Sequence, residues 1–280
     1  MTYLLDPVTD SRSEDFDRAH ALLAAEFGPR GELERREVLA GWVDEKQPVP
    51  AGRLQRQYHL LLARNEHGEL CGVRDCHVIV DPESALAVVY LAHALVLPRY
   101  RRTGLGVLLR EHPLSLAKRA LEKISAPAEV LLAAEMEPHD PADLSSMVRL
   151  IAYGKEGFRA IAPEYLPYAQ PDFRDLGQPD SALARPIPLL AVVRWVGRET
   201  AERLPGRLAR AFVEHLYAVF ATHVGTEQLG ALKQRTLSVL DASPGSEVPL
   251  LALPQSTDDI LRAAPLARQR VLQHHGGGTW

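Results

Sequence analysis

Apolar residues at Phe16, Ala19, Leu22, Leu23 and Phe27 recur at helical spacing, predicting a helix over Asp15–Phe27 that Gly28-Pro29 closes. A weaker helical pattern covers Glu32–Val43, and Gln47–Gly52 is a Pro/Gly break. Tyr58–Arg64 and the β-branched run Leu70–Val80 flank the turn signal Asn65–Gly68 and predict a hairpin. After a second turn at Asp81–Ser84, Ala87–Leu97 reads as a strand buried on both faces, completing an antiparallel meander. A helix is predicted over Gly104–Ile124, kinked at Pro113. A buried strand at Glu129–Glu135 follows, then a helix over Asp143–Tyr153 that starts at Pro141 or Asp143 and ends at Gly154 or Gly157. The order β-β-β-α-β-α predicts an α/β sheet of mixed direction.

Beyond Phe158 the pattern weakens. Tyr165–Phe173 is a strand candidate broken by Pro167 and Pro171, Arg174–Pro188 a loop, and Leu189–Val196 a clear strand. From Glu199 the character changes. Leu204, Leu208, Phe212, Leu216 and Phe220 form an amphipathic stripe, read as core or as a subunit contact, which leaves a homodimer open. Leu229, Leu232, Leu237 and Leu240 mark a second helix, followed by a strand at Val248–Leu253, a helix near Thr257–Gln273 and a mobile tail from His274 to Trp280. Two domains are expected: residues 1–198, and a mainly helical extension over residues 199–280.

Composition narrows the function. With 46% apolar and 24% charged residues, the chain of 280 residues can bury a core without staples. A net charge of −4, with basic residues clustered only at Arg99, Arg101 and Arg102, argues against nucleic acid as a main partner. Met1–Asp10 lacks the features of a signal peptide, and the longest apolar run, Ala85–Leu97, is too short to span a bilayer. Cys71 and Cys76 would point to opposite faces of one strand, so a reduced, cytoplasmic protein is expected. The histidines, including His215, His223, His274 and His275, lack a spacing that specifies zinc, and no metal is expected.

The chemically informative segment is a buried strand, Pro98, then Arg101-Arg102-Thr103-Gly104-Leu105-Gly106, then a helix. A helix N-terminus leaves backbone N–H groups unpaired and partly positive, and glycines let an anion approach them. The turn therefore suits a pyrophosphate. The Gly-Lys-Ser/Thr of a P-loop is missing, and Leu109 stands where a dinucleotide fingerprint needs its third glycine.

Val96-Leu97-Pro98-x-Tyr100-Arg101-x-x-Gly104-x-Gly106 resembles motif A of the GCN5-related N-acetyltransferase superfamily. Tyr153-Gly154-Lys155-Glu156-Gly157-Phe158 resembles the Tyr-x-x-x-Gly-Phe element that follows later in that family, in the matching order. The resemblance covers about Ser11 to Val196. It implies a mixed, mostly antiparallel sheet flanked by helices, and binding of acetyl-CoA or another acyl-CoA. The amides of Arg102, Thr103, Gly104, Leu105, Gly106 and Val107, with Arg101 nearby, would hold the pyrophosphate. The backbone of Leu95, Val96 and Leu97 would pair with the pantetheine arm, and a bulge near Ala94 would splay this strand from Glu129–Glu135. The implied activity is acyl transfer to a primary amine. Tyr153 would be the acid toward the coenzyme A thiolate.

A general base is less clearly marked. Where the family often places a glutamate, this chain has Tyr90-Leu91-Ala92-His93-Ala94, so His93 is the candidate base or water-holder. Glu135 and Glu137 are further candidates, on one face if their strand persists. Two alternatives stay open: a non-catalytic acyl-CoA-binding module, and an acyltransferase for longer chains.

Overall fold

The computed structural model describes residues 2–51, 53–122, 128–140, 144–171, 186–224, 226–242, 245–259 and 263–274. The chain divides into two compact units, Met1–Val130 and Leu131–Trp280. The expected boundary at residue 198/199 falls inside the second of them.

In the first unit, strand β1 (Tyr3–Val8) leads into helix α1 (Glu14–Phe27). Ser13 caps that helix by accepting from the Phe16 amide at 3.1 Å, with Glu14, Asp15 and Asp17 in the positive first turn. Helix α2 (Arg36–Asp44) and the short strand β2 (Val49–Ala51) follow. Strands β3 (Leu54–Asn65) and β4 (Leu70–Asp81) form the expected hairpin. Its turn is fixed by Gly68 at φ 76° and by the Asn65 Oδ1, which accepts from the amides of His67 and Glu69 at 3.0 and 2.9 Å. Nearly every residue of β4 is buried, so it lies inside the sheet.

The third strand is not continuous. It divides into β5 (Leu86–Tyr90) and β6 (Ala94–Val96), both paired with β4. Tyr90 faces His77, and Ala94 faces Arg74. Four steps on this strand oppose three on β4, which is a one-residue bulge at Leu91–His93. The strands of this unit run in the order β1-β3-β4-β5, with β2 added beside β3 and β6 beside β4, in antiparallel register. A 3-10 turn (Pro98–Tyr100) joins β6 to helix α3 (Leu105–Leu121), which runs on through Pro113. The predicted end of that helix at Ile124 lies outside the described residues.

The division between units falls within β7 (Glu129–Met136). Helix α4 (Leu144–Gly154) follows, then strands β8 (Arg159–Ile161), β9 (Ala169–Gln170), β10 (Ile187–Pro188), β11 (Leu190–Trp195) and β12 (Arg203–Pro205). The expected helix start at Pro141 or Asp143, most of the Arg174–Pro188 loop and the tail beyond His274 lie outside the described residues. Helices α5 (Gly206–Phe220) and α6 (Thr226–Ala242), strand β13 (Glu247–Ala252) and helix α7 (Arg268–His274) complete the chain. The sheet of this unit is antiparallel, in the order β7-β11-β8-β13-β12. Residues beyond 198 thus supply two of its strands.

The leucine stripe splits: Leu204 belongs to β12, and Leu208, Phe212, Leu216 and Phe220 are fully buried on α5. The stripe is therefore core. Among the described residues, no helix is long and apolar enough to cross a membrane.

Candidate active site

The Arg101–Gly106 turn is anchored from below. Tyr100 is buried with Ala63, Cys71, Leu105 and Leu109, and its hydroxyl donates to Glu69 at 2.7 Å. Thr103 is locked from two sides: its hydroxyl donates to the Tyr100 carbonyl at 2.5 Å and accepts from Tyr3 at 2.7 Å. Arg102 and Gly104 both have left-handed backbones, at φ 64° and 89°. A Cβ at Gly104 would meet nothing within 4 Å, so this glycine serves its backbone angle and leaves open space beside it.

Helix α3 takes no side-chain cap, and its first internal bonds run from Val107 and Leu108 to the Gly104 carbonyl, at 3.1 and 3.2 Å. Among the described residues, the five amides from Arg102 to Gly106 have no protein acceptor. This is a backbone cradle for an anion, reinforced by the helix dipole. The Val107 amide, expected to join it, is already engaged by Gly104. Arg101 reaches back from Nε to the Val96 carbonyl at 3.3 Å, and Arg99 lies over the Tyr100 ring, 4.8 Å from its centroid.

Strand β6 continues this cradle. The Asp75 amide donates to the His93 carbonyl at 3.1 Å and the Leu97 amide to the Cys71 carbonyl at 2.9 Å, while Leu95 pairs with Val73. Antiparallel alternation then turns the backbone groups of Leu95 and Leu97 toward β4 and those of Ala94 and Val96 away from it. Of the three residues expected to pair with an extended ligand, Val96 is the one whose backbone faces away from the sheet. Gly72, which sequence reasoning passed over, permits this packing: a Cβ there would lie 2.5 Å from the Leu95 carbonyl oxygen. The signal was a glycine interrupting a strand pattern, which marks close backbone approach.

His93 is placed differently from its expected role as a base. Its Nδ1 lies 3.2 and 3.1 Å from the two Asp75 carboxylate oxygens, and its Nε2 lies 2.9 Å from the Glu32 carbonyl. Both partners are acceptors, so both ring nitrogens carry protons. Burial opposes that charge, yet Asp75, Glu34 and the Glu32 carbonyl outweigh it and raise the His93 pKa to about 9. Burial alone would raise the Asp75 carboxyl, but His93 holds it below its ordinary value. Asp75 also accepts from the His93 amide at 2.7 Å and from the Tyr58 hydroxyl at 3.0 Å. A fully engaged imidazolium has no lone pair to offer. We therefore correct the assignment: His93 fixes the bulge and has no capacity to abstract a proton in this state.

The remaining candidates lie in the second unit. Tyr153, on α4, is half-buried and sits edge-on to Phe158, with ring centroids 4.8 Å apart. The chain closes beneath it through Gly157 at φ 79° and a bond from the Phe158 amide to the Tyr153 carbonyl at 3.2 Å, so the second motif is a helix C-terminus. Glu135, on β7, accepts from the buried Tyr168 hydroxyl at 2.6 Å. Glu137 is ion-paired with Arg149. Tyr168 escaped the sequence analysis because it lies in a proline-rich stretch without periodicity.

Neither a protein-family model nor a curated protein matches the sequence. Among solved structures, the chain is similar to a region described as a GCN5-related glucosamine N-acetyltransferase in a fungal multidomain β-N-acetylglucosaminidase. That match has 18% identity and a TM-score of 0.39, covering 57% of this chain and 17% of the other. An aminoglycoside 6'-N-acetyltransferase of Acinetobacter baumannii has 16% identity and a TM-score of 0.36, with 55% and 90% covered. An acetyltransferase of the GNAT family from Staphylococcus aureus has 12% identity and a TM-score of 0.39, with 70% and 99% covered.

Proposed function

We propose that the chain is an acyl-CoA-dependent N-acyltransferase that transfers acetyl, as the default acyl group, to a primary amine. The observation that carries this reading is the row of amides from Arg102 to Gly106 without protein acceptors, at a left-handed turn opening helix α3. It fits the pyrophosphate of coenzyme A, and the outward-facing backbone at Val96 fits the amides of a pantetheine arm. The motif residues Val96–Gly106 and Tyr153–Phe158 support the same reading.

The chemistry needs no covalent enzyme intermediate. The neutral amine nitrogen attacks the thioester carbonyl carbon, and the oxyanion collapses with cleavage of the C–S bond. Tyr153 protonates the departing thiolate. With His93 engaged by Asp75 and Glu32, Glu135 is the better base for the proton lost from nitrogen, directly or through a water. Removing the Tyr153 hydroxyl as Tyr153→Phe is expected to lower kcat by about 10²-fold or more in a thiol-release assay, with acetyl-CoA affinity unchanged. Undiminished turnover would remove Tyr153 from the mechanism.

A further inference from the structure

The α3 face of the first unit contains a charge that the mechanism above leaves unused. Gly72, Arg74 and Cys76 alternate on β4 and share one face. That face lies under α3, because a Cβ at Gly72 would meet the side chains of Leu105 and Leu109 at 3.5 and 3.6 Å. Arg74 is fully buried, and none of its nitrogens, Nε, Nη1 or Nη2, has a hydrogen-bond partner among the described residues. Arginine does not escape this by losing its proton. Its sequence neighbour Asp75 turns to the opposite face, where it is saturated by His93 and Tyr58.

The Asp75 carboxylate, which Arg74 helps to hold below its ordinary pKa, is already committed to His93 and Tyr58. Leu61 of β3 stands directly opposite Arg74, and His59 opposite Cys76, so His59 is a diagonal neighbour on the same face, about 7 Å away by strand geometry. Burial and the nearby Arg119 and His112 of α3 all push His59 down, to about 4. His59 is therefore neutral at ordinary pH and offers Arg74 no counter-charge.

We propose that this face, centred on Arg74, is a receptor for a carboxylate carried by one of the two substrates. A planar carboxylate matches the guanidinium fork in two parallel hydrogen bonds. One guanidinium balances one negative charge, and the desolvation of a dianionic phosphate would cost more. Arg74 stands opposite Ala94, the first residue of β6, so the carboxylate belongs to a molecule that this strand presents. The inference deepens the acyltransferase reading and rests on it. The enzyme would select an acidic acyl group, of the malonyl or succinyl type, or an acceptor amine bearing a carboxylate.

Thermal melts of the full chain test this without requiring turnover. Wild type, Arg74→Met and Arg74→Lys would each be titrated with acetyl-CoA, malonyl-CoA and succinyl-CoA. With coenzyme A saturating, each would also be titrated with an amino acid and its amide. A carboxylate on the acyl group predicts that wild type binds malonyl- or succinyl-CoA at least about tenfold more tightly than acetyl-CoA. A carboxylate on the acceptor predicts the same margin for the amino acid over its amide. Either preference should vanish in Arg74→Met and persist, weakened, in Arg74→Lys. Equal affinities within every pair in wild type, or a preference that survives undiminished in Arg74→Met, would overturn the receptor. Should no coenzyme A ester bind at all, the acyltransferase reading fails separately. A wild-type preference for free succinate over succinamide, abolished in Arg74→Met, would still establish the carboxylate site, and its absence would reject it.

Discussion

At the scale of single residues, the pair His93–Asp75 makes stability depend on pH in a defined way. The pKa of His93 rises in the folded state from 6.5 to about 9. A raised folded value contributes stability that is fully present below 6.5 and lost as pH climbs toward about 9. Asp75 is shifted the other way, so its contribution is present above its ordinary 3.8 and lost on acidification. Denaturant unfolding is expected to show a plateau between these limits and a decline on the alkaline side. His93→Gln should flatten that decline and, by leaving Asp75 buried without its cation, cost about 3–5 kcal/mol near neutrality. An alkaline limb that persists unchanged in the variant would refute this role. The sequence exposed His93 as the one group titrating near neutrality on its strand. It did not expose Asp75 or Glu32, because their meeting with His93 depends on strand register and on the bulge.

At the scale of elements, the arrangement of β4, β6 and α3 governs ligand capture. The hairpin and the following strand were legible because their apolar runs are bounded by the turn signals Asn65–Gly68 and Asp81–Ser84. The break at Leu91–His93 was not, because a bulge residue leaves the apolar composition of the run unaltered. Strand β1 was missed for a related reason: Asp6 and Pro7 blur the pattern of an edge strand. Helix α2 is shorter than its periodicity suggested, starting at Arg36. Gly72 gives a direct probe of this layer. In Gly72→Ala the new methyl must displace the Leu95 carbonyl, a backbone obstacle that has no rotamer to yield. The expected cost is about 1–3 kcal/mol in stability. Acetyl-CoA binding should weaken by roughly tenfold as β6 shifts, or about 1.4 kcal/mol. Calorimetry and denaturant melts check both, and full retention of affinity would detach β6 from cofactor binding.

At the scale of the whole chain, fold class was the most legible feature. Alternating strand and helix patterns predicted an α/β sheet of mixed direction, the motif resemblance implied a mostly antiparallel one with flanking helices, and both units have antiparallel sheets. The role of residues 199–280 was less legible. Their leucine stripe marked α5 correctly, but β12 and β13 are short strands whose membership in a sheet depends on distant partners. At the candidate site, the left-handed turn before α3 was legible because a local motif marks it, whereas the engagement of the Val107 amide by Gly104 was not. The pairs Asp75–His93 and Glu135–Tyr168 were not legible either, because each joins residues far apart in sequence. The central claim rests on the amides from Arg102 to Gly106, and isothermal titration of the full chain with acetyl-CoA tests it most directly. The account predicts saturable binding by wild type and a loss of at least about 10²-fold in Gly104→Arg, where a side chain enters the cradle at a left-handed position. Equal affinity in the two proteins, or no binding by either, would contradict it.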